Sequence, residues 1–341
     1  MYIYVSGGKT MGHISPLIGI ILSLKDKYDF IYFGLEGSME EEICKKNNIT
    51  FHAMKLTPFY RKNIFKNFKT ILYIIKEKRR IIKIYKNKNI KAVITSGGFV
   101  SIPLVLSFKK VNKILLESNT TLGLANKMMV RYVKYLGVQF DSINHPKKVI
   151  IGNPIKIYQQ SFDHPFFYLN EPLILFVGGS NGALDIILCA LEFNKKYPNI
   201  KMMVITGERY FDTYKFNQNV KIFKKIDNLN SILNKFTLVI SRAGAATICE
   251  LLLNEVNFIL YPSKNVSGNH QCYNAEFLRE MGCCKMIEDY SSISIDMIYN
   301  MIFDKKEREI ELENQKKVCI KDSVERIINL IEKWYYENKK C

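Results

Sequence analysis

The sequence predicts an α/β protein of two Rossmann-like, doubly wound domains facing across a cleft, and three observations predict it. Short β-rich runs alternate with stretches of helical periodicity along all 341 residues. The alternation is made twice. Each half also opens on a glycine-rich segment directly after a strand-like run: Ser6-Gly7-Gly8-Lys9-Thr10-Met11-Gly12-His13 in the first, Val177-Gly178-Gly179-Ser180-Asn181-Gly182-Ala183 in the second.

In the first half, Ile3-Tyr4-Val5, Phe30-Ile31-Tyr32-Phe33, Ala92-Val93-Ile94 and Lys113-Ile114-Leu115-Leu116 read as buried strands. In the second, residues 173–177, 202–205, 220–223, 238–240 and 257–260 do the same. Continuous apolar runs with helices between them are the pattern of parallel strands covered on both faces. The domain boundary falls near Gly152-Asn153-Pro154, where glycine and proline break both periodicities.

Composition narrows the function classes. The formal net charge is +18, and residues 1–150 hold 26 Lys+Arg against 9 Asp+Glu while the remaining 191 hold 24 against 23. The basicity therefore belongs to one half, which points to a polyanionic partner for that half. Eight cysteines are scattered without a CxxC pair, so reduced thiols are expected rather than a zinc site or a disulfide framework. Met1-Tyr2-Ile3-Tyr4-Val5 enters a strand with no leader-like region, and no apolar stretch reaches the length of a spanning helix. The expected location is the cytosol or the cytosolic face of a membrane.

A glycine-rich turn between strand and helix lets backbone N–H groups approach an anion, and the helix N-terminus adds partial positive charge. Neither turn matches the dinucleotide fingerprint or the Walker A loop, so tight strand–helix packing stays an open explanation for each. His13, in the first turn of the next helix, is of the type that serves as general base, or simply caps or packs. Ser241-Arg242-Ala243-Gly244-Ala245-Ala246-Thr247-Ile248-Cys249-Glu250 ends a strand and starts a helix. Glu250 sits there among apolar neighbours and suits a bidentate contact with two ribose hydroxyls, or a solvated helix face. Gly268-Asn269-His270-Gln271-Cys272-Tyr273-Asn274-Ala275 opens another helix with neutral polar groups fit for phosphate or sugar oxygens.

Residues 61–90 carry 11 Lys+Arg and one acid, Glu77. On a helix Lys62, Lys66, Lys69, Lys76, Arg80 and Lys83 share one face, and Ile64, Phe68, Ile71, Ile75 and Ile82 share roughly the opposite, core-facing one; Phe59, Tyr60 and Phe65 stand at its start. A solvated face, an anionic membrane and nucleic acid all fit this pattern, although no nucleic-acid module is recognisable.

Seven ordered blocks together resemble the MurG family, the N-acetylglucosaminyltransferases of peptidoglycan synthesis, which have the glycosyltransferase-B fold and are of family 28 type. The family's GGGTGGH stands at residues 7–13, its Gly-Gly-aromatic-Val at Gly97-Gly98-Phe99-Val100, and its HEQN segment at Leu116-Glu117-Ser118-Asn119 with Gly123, Asn126 and Lys127. GNP is Gly152-Asn153-Pro154, GGSxGA is residues 178–183, RSGAxTxxE is 242–250 and HQxxNA is 270–275. The resemblance implies an acceptor- and membrane-binding domain at 1–152 and a UDP-sugar domain at 153–322, with a C-terminal helix at 323–341 packing back toward the first. It implies inverting transfer of N-acetylglucosamine from UDP to an undecaprenyl-diphosphate-linked N-acetylmuramoyl-pentapeptide, with no cofactor or metal.

Carried over residue by residue, the resemblance makes His13 the base for the acceptor's C4 hydroxyl. The donor-binding set is Thr10, Met11, Gly12, Asn119, Lys156, Ser180, Ile226, Ala245, Ala246, Thr247, Glu250 and Gln271, with Glu250 on the ribose, Ile226 near the uracil and Ser180 at the diphosphate. Thr10 and Gly12 also border the acceptor side, where Gly97, Gly98, Glu117 and Asn119 lie. A lipid-linked acceptor favours the membrane for the basic helix, its face being Phe59, Lys62, Phe65, Lys66, Lys69, Lys76 and Arg80. The expected partners are therefore a UDP-sugar, a polyprenyl-diphosphate-linked acceptor and an anionic membrane surface, not nucleic acid. Lys9 and Met11 replace two family glycines, Leu116 and Ser118 replace the His and Gln of HEQN, and Lys156 replaces an Arg, a bidentate contact becoming a point charge. Those departures keep two alternatives open: a related transferase with a different lipid-linked or polysaccharide acceptor, and a non-catalytic membrane scaffold that binds a nucleotide sugar.

Overall fold

The β-rich runs become parallel strands, and each sheet winds outward in both directions from a central pair. The computed structural model describes residues 1–58, 64–156, 159, 162–179, 182–211, 213–264 and 267–339. They form two units, Met1–Ile155 with Ile320–Cys341, and Lys156–Cys319.

Unit 1 runs β1 (Tyr2–Gly7), α1 (Met11–Leu24), β2 (Asp29–Leu35), α2 (Met39–Lys46), β3 (Thr50–Met54), α3 (Ile64–Tyr85), β4 (Ile90–Gly97), α4 (Ile102–Val105), β5 (Asn112–Glu117), α5 (Leu124–Met129), β6 (Tyr135–Val138) and β7 (Lys148–Ile150). Its strand order is β3-β2-β1-β4-β5-β6-β7, every pair parallel. Side chains alternate across the sheet: Ile3 and Val5 enter one core with α1, while Tyr4 enters the other with Phe33 and Ile81.

Unit 2 runs β8 (Leu173–Val177), α6 (Leu184–Lys196), β9 (Lys201–Ile205), β10 (Val220–Phe223), β11 (Leu238–Ser241), α7 (Ala245–Leu253), β12 (Phe258–Leu260), α8 (His270–Glu280), β13 (Lys285–Met286), α9 (Ser292–Phe303) and α10 (Lys305–Val318). The order is β10-β9-β8-β11-β12-β13, again parallel throughout. The chain then returns to unit 1 as α11 (Ser323–Lys339), whose Ile327, Leu330 and Ile331 join the core under β1 and α1.

β3, β6, β7 and β13 were not expected from the sequence. They are short, they lie at or next to sheet edges, and they carry His52, Gly137, Lys148 and Lys285, which dilute the apolar signal. The domain boundary also moves. Gly152, Asn153 and Pro154 belong to unit 1, with the crossing at Ile155/Lys156 and the return at Cys319/Ile320 rather than at 152/153 and 322/323. Packing explains the shift. Asn153 Nδ2 donates to Gln139 Oε1 at 3.0 Å, and a Cβ on Gly152 would lie 2.6 Å from Ile320 Cβ.

Gly19 of α1 backs directly on this segment: a Cβ there would lie 1.8 Å from the Pro154 carbonyl oxygen. Gly to Ala in a helix interior ordinarily stabilises. Here the backbone contact reverses the sign, and Gly19→Ala should cost about 1–3 kcal/mol. Denaturant unfolding followed in unit 1 checks this, and an unchanged or raised midpoint would contradict the packing.

Candidate functional site

Where strand order reverses, adjacent loops at the carboxyl ends of two central strands diverge and leave a crevice. In unit 2 those strands are β8 and β11. The loop after β8 is held tight by bare backbone. A Cβ on Gly178 would lie 2.5 Å from Ala183 N, and one on Gly182 (φ 73°) would lie 2.0 Å from Thr206 O. α6 then begins with no capping side chain at Ala183 and with Asp185 in its first turn. The loop after β11 carries Arg242, whose guanidinium pairs with Asp185 and donates to Tyr261 O at 2.9 Å. It leads to Gly244, likewise without a capping side chain, and to Ala245, Ala246 and Thr247, the first three residues of α7. Two helix N-termini thus flank one crevice, and the acid in the first turn of α6 is neutralised by Arg242.

Beside them lies a cavity of about 210 Å³, smaller than the roughly 300–1,000 Å³ of a whole drug-sized ligand site, so it has room for part of such a ligand rather than all of it. Ile205, Ile226, Leu229 and Leu251 supply apolar walls; Thr247, Glu250 and Arg242 supply polar groups, and Lys224 and Lys225 also line it. Burial pushes the Glu250 carboxyl up to about 7, against a hydrogen bond with Asn230 that pulls it down. The Asn230 amide also donates to the Lys156 carbonyl at 3.0 Å. Lys156 is tied in by its backbone while its side chain is exposed, and neither it nor Gln271 lines the cavity. Gln271 Oε1 instead accepts the Ser263 N–H at 2.8 Å. Ser180 lies outside the described residues. The structure therefore brings Ile226, Thr247 and Glu250 to one cavity and adds Arg242, Lys224 and Lys225 to its lining, with Asn230 bonded to Glu250 behind it. Only Arg242 had a sequence signal, as the first residue of its motif.

In unit 1 the reversal lies between β1 and β4. Thr10 caps α1 in extended backbone (φ −141°) with no side-chain cap bond, and Met11 and Gly12 open the helix without an acidic residue in its first turn. His13 Nδ1 lies 2.7 Å from Ser96 O, and Ser96 Oγ in turn donates to His13 O. A carbonyl only accepts, so Nδ1 carries the proton and Nε2 of the neutral ring is the basic nitrogen. Gly98 (φ 78°) presents bare backbone there: its Cβ would lie 4.0 Å from Nε2. Gly97 (φ 95°), by contrast, has no room for a side chain, because its Cβ would lie 2.3 Å from Asn126 Oδ1.

Two expectations on the acceptor side change. The Glu117 carboxylate is buried and accepts from Asn119 N (3.1 Å), Asn119 Nδ2 (3.0 Å), Gly123 N (2.9 Å) and Asn126 Nδ2 (2.8 Å). Both its oxygens are engaged by its own loop, so it anchors that loop rather than facing an acceptor. Leu116, 3% exposed, is a core residue under α1.

The basic helix α3 is also corrected. Its core-facing row is Thr70, Ile74, Glu77 and Ile81, whereas Phe68, Ile71 and Ile75, expected inside, are 67%, 46% and 40% exposed, with Leu72 beside them at 52%. Lys69 and Lys76 are exposed next to them. Arg80 is committed elsewhere, donating to Glu77 Oε2 at 3.2 Å and to Ala53 O at 3.1 Å. Phe59 and Lys62 lie outside the described residues, and Phe65 and Lys66 are described only as backbone of the first helical turn. Among the described residues no helix is long and apolar enough to cross a membrane, and no three His, Cys, Asp or Glu side chains gather as a metal site would require.

Comparison with known proteins agrees with this arrangement. The glycosyltransferase family 28 N-terminal domain matches residues 3–138, and the family 28 C-terminal domain matches residues 173–330. A UDP-N-acetylglucosamine–N-acetylmuramyl-(pentapeptide) pyrophosphoryl-undecaprenol N-acetylglucosamine transferase of Lactobacillus johnsonii is 30% identical, covering 97% of this chain and 98% of its own. One of the same description from Thermoanaerobacter sp. is 29% identical over 97% and 99%. Among solved structures, MurG of Acinetobacter baumannii superposes with a TM-score of 0.75 at 18% identity, covering 97% of this chain and 99% of its own. A UDP-N-acetylglucosamine 2-epimerase from Listeria monocytogenes superposes at 0.72 with 12% identity, covering 99% and 97%. At such identities the superpositions establish the fold alone.

The Glu250 carboxyl makes a prediction of its own. Its pKa is raised on folding, so the stability that Glu250 contributes is fully present below the ordinary carboxylate range and lost as pH rises through about 7. Glu250→Gln should therefore raise the thermal midpoint at pH 8 and leave it nearly unchanged at pH 4.5. An equal shift at both pH values would contradict the assignment.

Proposed function

Since the chain belongs to the N-acetylglucosaminyltransferases of glycosyltransferase family 28, we propose how its residues divide the work of that reaction. The enzyme transfers N-acetylglucosamine from UDP-N-acetylglucosamine to undecaprenyl-diphosphate-linked N-acetylmuramoyl-pentapeptide, the lipid I to lipid II step of peptidoglycan synthesis. The observation that carries the assignment of residues is the pairing, in unit 2, of a carboxylate inside a small apolar-walled cavity with two uncapped helix N-termini beside it.

The uracil enters the slot walled by Ile226, and the two ribose hydroxyls donate to Glu250. Binding favours the ionised carboxylate, which the empty cavity disfavours. The diphosphate lies at the N-termini of α6 and α7, with Ser180, Ala245, Ala246 and Thr247 around it. As the bond from the anomeric carbon to the diphosphate oxygen breaks, its electron pair goes to UDP, and the growing charge meets dipoles already oriented toward it. His13 Nε2 takes the proton of the acceptor's C4 hydroxyl as that oxygen forms the new bond from the opposite face, giving inversion through an oxocarbenium-like state. The Ser96 carbonyl, accepting from Nδ1–H, supports the imidazolium that results. Gly98 leaves space at the basic nitrogen, and Thr10, Met11, Gly12 and Asn119 border the reacting sugars. Neither a cofactor nor a protein-held metal enters this scheme.

The exposed apolar residues of α3, with Lys69 and Lys76 beside them, fit contact with an anionic bilayer: the apolar side chains enter the interface, and each cation adds about 1 kcal/mol. An enzyme held there meets its lipid-linked acceptor where it resides, on the cytoplasmic face. A transferase with a different lipid-linked acceptor keeps its basis in Leu116, which is buried, and in Ser118.

His13→Ala should lower kcat about 10²–10⁴-fold while leaving the Kd for UDP-N-acetylglucosamine unchanged. Near-wild-type turnover on lipid I would overturn the base assignment, and a wild type inactive on every lipid-linked acceptor would favour the scaffold. Glu250→Gln should weaken donor binding about tenfold or more and flatten its pH dependence, wild-type affinity falling as pH drops below about 7. Replacing Phe68 and Leu72 together by Ser should reduce co-sedimentation with anionic vesicles severalfold with donor affinity intact; undiminished binding would remove α3 from the membrane contact.

A further inference from the structure

We infer that Glu40 is a positioning residue for the transfer: its buried carboxylate fixes, from beneath, the backbone loop that carries His13. The inference rests on the reading of His13 as base and adds the element that holds it.

Glu40 is 0% exposed. It is the second residue of α2, where the helix end favours negative charge. Its Oε2 accepts the Lys9 N–H at 3.4 Å and its Oε1 accepts the Leu35 N–H at 3.2 Å, so one carboxylate bridges the loop after β1 and the end of β2. Two glycines are bare to admit it. A Cβ on Gly8 would lie 2.3 Å from Oε1, and one on Gly34 would lie 2.7 Å from Cγ. A Leu or Met would fill such a space without the cost of burying a charge. What the carboxylate supplies instead is two acceptors aimed at backbone.

The backbone it holds needs holding. Lys9 sits at φ 78°, left-handed space that a lysine enters only at a cost. On its N-terminal side Tyr32 Oη donates to Gly7 O at 2.7 Å. On its C-terminal side comes Thr10, whose carbonyl accepts the His13 N–H at 3.0 Å. Glu40, Lys9, Thr10 and His13 are thus linked in one short chain of bonds that ends on the base. Removing the carboxylate frees the loop to leave the left-handed turn, and His13 Nε2 then occupies its reactive position for a smaller fraction of the time.

Glu40→Gln in the full chain keeps the shape but replaces one acceptor by a donor that faces a backbone N–H. On lipid I in detergent it should lower kcat about tenfold, the scale of one charge-assisted hydrogen bond, with KM for UDP-N-acetylglucosamine unchanged. Hydrogen exchange should quicken in residues 7–13 while protection of unit 2 stays at the wild-type level. Glu40→Asp, which keeps the charge and both acceptors, should recover part of both losses. A folded Glu40→Gln variant with wild-type kcat and wild-type exchange overturns the inference, as does a kcat loss accompanied by equal loss of protection throughout unit 1. Wild-type turnover in His13→Gln would overturn the base assignment and the catalytic part of this inference together. That failure is recognisable because the exchange change in Glu40→Gln would persist.

Discussion

A parallel sheet that winds outward in both directions from its middle leaves two neighbouring strand ends with no crossover covering them, and both candidate crevices of this protein depend on that constraint. In unit 1 the ends are those of β1 and β4, and in unit 2 those of β8 and β11. Because the strands are parallel, each pair of ends delivers loops to the same edge, and because a helix follows, each loop closes on a helix N-terminus. The sheet therefore provides the place and the positive partial charge before any particular side chain is chosen. In unit 1 the two ends are also bonded reciprocally through His13 and Ser96, so the orientation of the imidazole is set by a strand 83 residues away.

Three carboxylates are placed near these edges, and their surroundings separate their roles. Glu117 is satisfied by four donors of its own loop and behaves as an anchor. Glu40 is bound by two backbone amides and ties one loop to its neighbour. Glu250 is bonded to the Asn230 amide beside a cavity with apolar walls, and burial pushes its carboxyl up to about 7. A carboxylate in such surroundings is suited to take up ligand hydroxyls, as proposed above for Glu250.

The uneven charge also finds a place. The excess of cations in residues 1–150 is concentrated on and around α3, and the helix exposes apolar side chains with them. Glu77, the one acid of that stretch, is turned inward, where it accepts from Lys55 N and pairs with Arg80. The outer surface thus loses a negative charge and keeps Lys69 and Lys76 beside Phe68 and Leu72.

The sequence by itself determined the fold class, the two glycine-rich loops, His13 and the Glu250 helix. All of these are written in short-range signals: alternation of apolar runs, bare backbone before a helix, and polar residues at fixed offsets from a strand end. Only the tertiary structure decided the rest. Periodicity shows that α3 has apolar stripes, but not which stripe turns inward; that choice was made by the space beneath Ile74 and Ile81. Motif likeness places Glu117 and Leu116 near an acceptor, but not that one is saturated and the other is core. The proton on His13 Nδ1, the carboxylate of Glu40 under Lys9, and the passage of Gly152-Asn153-Pro154 into unit 1 each depend on partners dozens to hundreds of residues distant. No local pattern encodes such contacts, because they exist only once the sheet has brought the loops together.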